Sequence, residues 1–328
     1  MAFFAFSKCW NKVLVIGANI FLASGFSFRG GLSPAQFVNR FSQTQFSTHK
    51  RDKKMKKITL AVLAIAGWAG ASTAFASTSD IKAANNQIGI QRISTKVNYT
   101  ETGSGLYGTP TGTLDTETGG VPGYALSLST MKDWWLGNDY IAAEYDHSSG
   151  NTTYTGAFQG GVFGSVVGTS SAALVNYSGR YGKGFTLNNE IMLTPYLELG
   201  SHQWDRGVNA GETYTHNYYG IGALGQYSPV SKLVLSANAL YGATYGSYIK
   251  VNGPFGFSGG LGDSTLNKFG VAADYAFTQN FHGNVGVDYM SFKYGMSSVY
   301  PLGGGLLTWE PDSKTSYTAV KIGLGYAF

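Results

Sequence analysis

The sequence predicts an all-β fold, a transmembrane antiparallel β-barrel of ten strands, with eight strands as the alternative. Three observations support this prediction. Glycine accounts for 46 of the 328 residues, aromatic residues for 15% and charged residues for only 12%, whereas a soluble domain carries about 25% charge. Apolar residues alternate with small or polar ones, which is the period of a strand. A secretory leader precedes the alternating segments.

The leader occupies residues 55–76 and has the three parts of a signal peptide. A pair of lysines is followed by an apolar run, and Ala74 and Ala76 form a small-x-small cleavage site. We therefore expect three parts of the chain: an N-terminal extension over 1–54, the signal peptide over 55–76 and an outer-membrane barrel over 77–328. We interpret the extension as the result of a start codon assigned too early, and a genuine long extension is the alternative.

Charge has to be counted for the exported part alone. Residues 77–328 hold 13 Lys and Arg against 17 Asp and Glu, a net charge of −4. The basic pI of the whole chain comes from the leader, so nucleic-acid binding has no support. The exported part also contains no cysteine, so its fold does not depend on disulfides.

The last segment shows the alternation most clearly. Between Ala319 and Phe328, aliphatic and aromatic residues take every second position, and mostly glycine and alanine take the others. Small residues suit the inside of a narrow barrel, with the apolar face towards lipid. Nine further segments follow the same rule. In the first of them the pattern assigns Val97 and Tyr99 to the lipid face.

The connections between the ten segments alternate in length. Short ones lie at 133–139, 182–189, 228–232 and 278–282, and longer ones lie at 101–122, 147–168, 205–214, 250–264 and 295–314. Outer-membrane barrels place short turns in the periplasm and long loops outside the cell. An even number of strands then leaves both termini in the periplasm. Merging two weak strands between 140 and 181 would give eight strands instead.

The C-terminus carries a further pattern, with aromatic or aliphatic residues at Ile322, Leu324, Tyr326 and Phe328. Together with the leader and the strands, it resembles the small outer-membrane β-barrel proteins of the OmpA-like and opacity-type porin families. The resemblance implies that the barrel-assembly machinery recognises these four residues during insertion. It also implies a Gram-negative outer membrane, with its lipid and lipopolysaccharide around the barrel.

The inward positions supply the candidate functional residues, which are charged: Arg92, Lys96, Glu144, Asp146, Arg180, Glu198, Asp274, Asp288 and Lys321. Such charges predict either a water-filled lumen or an ion-pair network that fills a narrow barrel. Inward glycines would leave room for water. We expect a porin that passes small solutes or ions. The alternative is a structural or adhesive barrel with a plugged lumen, whose extracellular loops bind a partner that the sequence does not identify.

Catalysis is not expected. Asp and His side chains near strand ends could activate water at the rim of a barrel; the candidates are Asp146, His147, His202, Asp205, His216 and Asp263. No protease motif accompanies them, and His202 and His216 have no third ligand at a metal-site spacing. The sequence therefore predicts a non-enzymatic barrel with no cofactor.

Overall fold

The computed structural model describes residues 77–158, 161–253, 256–303 and 305–328. The expected extension and signal peptide, with Ala74 and Ala76, lie outside these residues. Within them, no helix is both long and apolar enough to cross a bilayer.

The elements are, in chain order, helix α1 (Thr78–Ala84), β1 (Gln87–Ser104), a 3-10 turn (Leu106–Gly108), β2 (Thr111–Lys132), β3 (Asp139–Gly156), β4 (Val166–Lys183), β5 (Phe185–Asn188), β6 (Ile191–Arg206), β7 (Glu212–Val230), β8 (Leu233–Val251), β9 (Ser258–Gly260), β10 (Thr265–Ala276), β11 (Phe281–Tyr294), β12 (Tyr300–Gly303), β13 (Leu306–Thr308) and β14 (Asp312–Ala327).

Ten of these strands close into one antiparallel barrel. They pair in the order β1-β2-β3-β4-β6-β7-β8-β10-β11-β14, and β14 pairs back with β1. β5 pairs only with β6, β9 only with β8, and β12 and β13 form a separate hairpin. Closure leaves no unpaired sheet edge along the barrel wall. The prediction of a ten-stranded transmembrane barrel is confirmed, and the eight-stranded alternative is wrong.

The barrel strands are longer than a membrane requires. They run from 12 residues in β10 to 22 in β2, whereas a transmembrane strand needs about 9–11. The connections are correspondingly shorter than predicted. The loop expected over 101–122 reduces to 105–110, and the one expected over 205–214 reduces to 207–211. Those two predictions were wrong because Gly-, Ser- and Thr-rich sequence continues as paired strand outside the membrane.

Two rings of aromatic side chains mark the membrane-facing part. One, the terminal ring, lies at the end that holds both chain termini and contains Trp134, Trp135, Tyr181, Tyr275, Phe281 and Tyr326. The other, the loop-side ring, contains Tyr124, Tyr145, Tyr177, Tyr219, Tyr241 and Tyr289. On β11 the rings are separated by eight residue steps, about 26 Å along a tilted strand. At a strand tilt of about 40° this corresponds to a height of about 20 Å, close to the apolar band of about 25 Å in outer-membrane barrels.

Between the rings the outer face is apolar, as predicted. The four C-terminal residues Ile322, Leu324, Tyr326 and Phe328 all point outward and are at least 46% exposed. Backbone pairing closes β14 against β1, and the alternation of these residues with mostly small inward ones presents a lipid-compatible face.

Beyond the loop-side ring, apolar side chains take the inward positions of the strands and polar side chains take the outward ones. In β1, Val97 and Tyr99 are buried inside the barrel, at 0% and 1% exposure, and Arg92 and Lys96 lie on the outer face. The prediction that put these two cations in the lumen was wrong. Outside the membrane a strand faces water, so polar residues point outward and large apolar residues point inward.

Helix α1 closes the end of the barrel that holds the termini. Ser77 caps the helix through a hydrogen bond to the Ser79 amide, and the helix buries Ile81 completely. The following residue Asn85 donates a 2.6 Å hydrogen bond to Gln226 of β7. Since β7 is five strands from β1 in either direction around the barrel, this segment crosses the lumen.

Candidate functional site in the barrel lumen

The interior of the barrel gathers most of the charges that the sequence assigned to it. Seven of the nine expected residues lie there: Glu144, Asp146, Arg180, Glu198, Asp274, Asp288 and Lys321. They form three groups within the barrel.

The first group surrounds Lys321 of β14. Its ammonium contacts the Glu144 carboxylate and lies 2.8 Å from Oδ2 of Asp288. Asp146, two residues beyond Glu144 on β3, accepts a 2.7 Å hydrogen bond from the Asn176 amide. Two carboxylates thus neutralise one buried ammonium, which a low-dielectric interior requires.

The second group surrounds Glu198 of β6, which is 1% exposed. Arg180 Nε donates to Glu198 Oε2 at 2.6 Å, and Lys268 Nζ contacts the other oxygen. The Tyr218 hydroxyl donates to that second oxygen at 3.0 Å. Lys268 was missed by the sequence analysis. Extending the β10 alternation by six residues before Asp274 would have placed it inside.

The third group lies near helix α1. Asp274 Oδ1 is 2.6 Å from His282 Nδ1, and its Oδ2 accepts a 3.0 Å hydrogen bond from Gln87. His282, expected to be a solvated turn residue, is 2% exposed. This group joins the start of β1 to β10 and β11 at the closed end of the barrel.

On the loop side of these charges, aromatic side chains and two histidines fill the lumen. The rings of His202 and His216 pack at 5.1 Å between centroids with a 42° tilt, and the ring of Phe292 packs 4.4 Å from that of His216. His202 Nε2 lies 3.1 Å from the Tyr317 hydroxyl, and His216 Nδ1 lies 2.7 Å from the Tyr294 hydroxyl. Both histidines therefore belong to the packed interior.

Inward glycines make room for tyrosines rather than for water. A Cβ atom on Gly200 would overlap the ring of Tyr218, and one on Gly222 would come within 2.5 Å of Tyr196 Cζ. Each glycine thus lets an aromatic ring lie flat against the neighbouring wall. The expectation that inward glycine leaves a water-filled channel was wrong at these positions.

A further charged cluster, the Arg206 cluster, lies at the loop end. Arg206 is 3% exposed and contacts three carboxylates: Glu117 at 2.8 Å, Glu212 at 2.9 Å and Asp115 at 3.6 Å. Its guanidinium also lies 4.3 Å from the centroid of the Tyr99 ring. The sequence analysis missed this cluster, because it interpreted these segments as loops.

Glu310 extends this cluster from the connection that precedes β14. Its Oε1 accepts hydrogen bonds from the hydroxyls of Tyr214 and Tyr99, and its amide donates to Ser297 Oγ at 2.8 Å. Burial, followed by repulsion from Glu212, raises the pKa of Glu310 to about 8. At neutral pH this carboxyl is therefore largely protonated within a group of acidic residues.

The lumen contains a small cavity at membrane depth. A cavity of about 70 Å³ remains between the two membrane-level charge groups, lined by residues that include Asp146, Arg180, Lys268 and Lys321. Such a cavity holds a few water molecules and excludes larger solutes.

The residues considered for catalysis do not form one site, although His202 and His216 contact each other in the packed interior. Asp146, His202 and His216 point inward, whereas Asp205 accepts hydrogen bonds from Gln203 and Thr213 on the wall. His147 packs beside the outward ring of Tyr124 at 5.7 Å. Asp263 accepts a 3.1 Å hydrogen bond from the Ser247 amide. In the part of the chain that the structure describes, no group of three His, Asp or Glu side chains has a geometry suited to a metal ion.

The fold and lumen define a transmembrane antiparallel β-barrel with a packed interior. No protein-family model matches the chain, and no curated protein matches it. Among solved structures it is similar to the outer membrane protease OmpT from Escherichia coli, with 12% identity over 74% of this chain and 95% of that one and a TM-score of 0.48.

Two further solved structures are similar. They are the outer membrane protein AlkL (12% identity, 80% of this chain and 95% of that one, TM-score 0.38) and the attachment invasion locus protein Ail of Yersinia pestis (12% identity, 74% and 99%, TM-score 0.29). All three TM-scores lie below 0.5, so the fold assignment depends on the strand pairing of this chain itself.

Proposed function

We propose that this chain is a non-enzymatic outer-membrane barrel of a Gram-negative bacterium whose lumen is closed and whose loop end acts at the cell surface. This was the alternative to the porin expected from sequence. The observation that favours it is the packing of side chains across the lumen at several levels, with a cavity of about 70 Å³ between the membrane-level charge groups.

Parts of the described chain cross or fill the lumen at three levels. At the terminal end, α1 crosses the lumen; at membrane depth, ion pairs of Glu198 and Lys321 join strands that are three apart in the barrel, β6 to β10 and β14 to β3. Beyond the membrane, Trp204, Tyr214 and Tyr294 stack at 5.8 and 5.4 Å between centroids. A conducting porin needs an aqueous path through all three levels, and none of the three levels favours one.

The loop end has features of a binding surface. Phe158 and Val162, in the connection between β3 and β4, are both 81% exposed. Tyr107 and Trp309, from two other connections, pack together at 5.2 Å. Exposed apolar patches commonly mark protein or membrane contact sites. They support a surface-binding role, which the sequence left open as the adhesive alternative.

Single-channel recording in a planar bilayer tests the proposal. The full chain is expressed, purified from outer membranes and checked for a heat-modifiable band on a gel, which demonstrates a folded barrel. We expect no reproducible current steps. Steps that change in size on Arg180→Gln or Glu198→Gln would contradict the proposal and restore the porin interpretation.

A further inference from the structure

The outer surface carries a group of cations that the lumen network does not use. Of the 13 Lys and Arg in residues 77–328, four lie inside the barrel and four lie near the terminal end. Five lie on the outer face at or beyond the loop-side ring. Four of these five occupy the three adjacent strands β11, β14 and β1; they are Arg92, Lys96, Lys293 and Lys314, and together we call them the cationic stripe.

Strand register fixes the geometry of the stripe. Lys293 lies directly opposite Lys314. Lys96 lies opposite Thr318, four residues further along β14, and Arg92 lies opposite Ile322, four residues beyond that. The stripe therefore extends about 26 Å along the barrel wall. Its lower end is level with the loop-side ring, because Arg92 also lies opposite Tyr124.

The protein does not neutralise these charges itself. None of the four has an ion-pair partner among the described residues. Two exposed carboxylates close to the stripe in sequence or space, Asp263 and Asp312, accept hydrogen bonds from the amides of Ser247 and Met296. Like charges directly opposite each other on a sheet are destabilising, so an external anion between Lys293 and Lys314 would stabilise this part of the wall.

We propose that the cationic stripe binds a phosphorylated glycolipid, the lipopolysaccharide of the leaflet that surrounds the loop end. This inference rests on the proposed outer-membrane location with the loops outside the cell. A phospholipid headgroup layer is only about 5–8 Å deep, so it would reach Arg92 and leave the upper lysines unpaired. A lipid whose sugars carry anionic groups at several heights matches the full length of the stripe.

The test compares two triple variants with the same change of charge. Lys96, Lys293 and Lys314 are changed to Gln in the first, and Lys132, Lys183 and Lys232 at the terminal end are changed to Gln in the control. The full chain is expressed and purified in detergent. Binding of purified lipopolysaccharide is then titrated beside the enzymatically dephosphorylated form and nanodiscs of phosphatidylglycerol.

We expect the first variant to bind lipopolysaccharide about 100-fold more weakly, since each basic residue near an anionic surface contributes about fivefold. The control and the wild type should bind alike, and dephosphorylation should weaken wild-type binding. Equal binding by both triple variants would overturn the proposal, as would equal binding of phosphatidylglycerol and lipopolysaccharide. Neither result depends on whether the lumen conducts, so the closed-lumen proposal is tested separately.

Discussion

Arg206 Nε lies 2.8 Å from Glu117 Oε2, and this contact joins β6 to β2 across the interior of the barrel. The Glu117 side chain has no exposed surface, so the arginine is its source of neutralising charge. Because Arg206 also contacts Glu212 of β7, one guanidinium links three strands, β2, β6 and β7, at the loop end of the barrel.

We predict that Arg206→Gln destabilises the barrel by about 3–5 kcal/mol, the usual cost of removing one partner of a buried ion pair. The measurement is the urea concentration at which the heat-modifiable band disappears. Lys250→Gln removes an outward lysine on β8 and should leave that midpoint unchanged. An unchanged midpoint in Arg206→Gln would show that the cluster contributes nothing to the fold.

Glu310 makes stability depend on pH. Its folded pKa of about 8 exceeds the ordinary value of 4.5, so the folded state keeps a proton that the unfolded state loses between these values. Stability should therefore fall as pH rises from about 4.5 to about 8. Each pKa unit corresponds to about 1.4 kcal/mol, and we expect a loss of at least that amount.

Glu310→Gln removes this titration while keeping the hydrogen-bonding shape. We expect the variant to be more stable than the wild type at pH 8 and to show a flatter profile between pH 5 and pH 8, measured by urea unfolding in micelles. Identical profiles for the two proteins would contradict the assignment of the pH dependence to Glu310.

Asp139 organises the turn between β2 and β3. Its Oδ2 accepts hydrogen bonds from the amides of Trp134, Trp135 and Leu136 at 2.8–3.1 Å, and its Oδ1 accepts one from the Tyr181 hydroxyl at 2.9 Å. We predict that Asp139→Ala lowers the melting temperature by several degrees, because three turn amides lose a charged acceptor.

Asp133→Ala in the same turn is the matched control. Asp133 accepts one amide hydrogen bond there, from Asn138, so its replacement should have the smaller effect. If the two variants melted at the same temperature, Asp139 would not be the organising residue of the turn.

Much of the membrane part could be predicted from the sequence. The alternation that ends in Tyr326 and Phe328 specifies an apolar outer face, and the same period places Glu144, Arg180 and Glu198 inside. Ten segments give a closed barrel with both termini at one end. These features follow from local sequence because lipid on one side and a narrow lumen on the other impose opposite preferences at alternate positions.

The part beyond the membrane could not be predicted in this way. There the medium around the barrel changes from lipid to water. Apolar and polar residues still alternate, but the apolar Val97 and Tyr99 now point inward and Lys96 points outward. Local sequence shows the two-residue period but does not mark the point along a strand at which the apolar face turns from outward to inward. The Arg206 cluster lies in this region beyond the membrane. It forms only because β2, β6 and β7 continue as strands through Gly- and Thr-rich sequence.

The closed lumen is tested most directly by thiol accessibility at Ala319, which lines the small internal cavity. The only native cysteine is Cys9, so the wild-type chain supplies the background. Ala319→Cys in native outer membranes is treated with a membrane-impermeant maleimide, and Ser165→Cys in the exposed β3–β4 connection serves as the labelled control. We predict that Ser165→Cys is labelled and that Ala319→Cys is labelled only after unfolding. Labelling of Ala319→Cys in the folded barrel at the rate of the control would contradict a closed lumen.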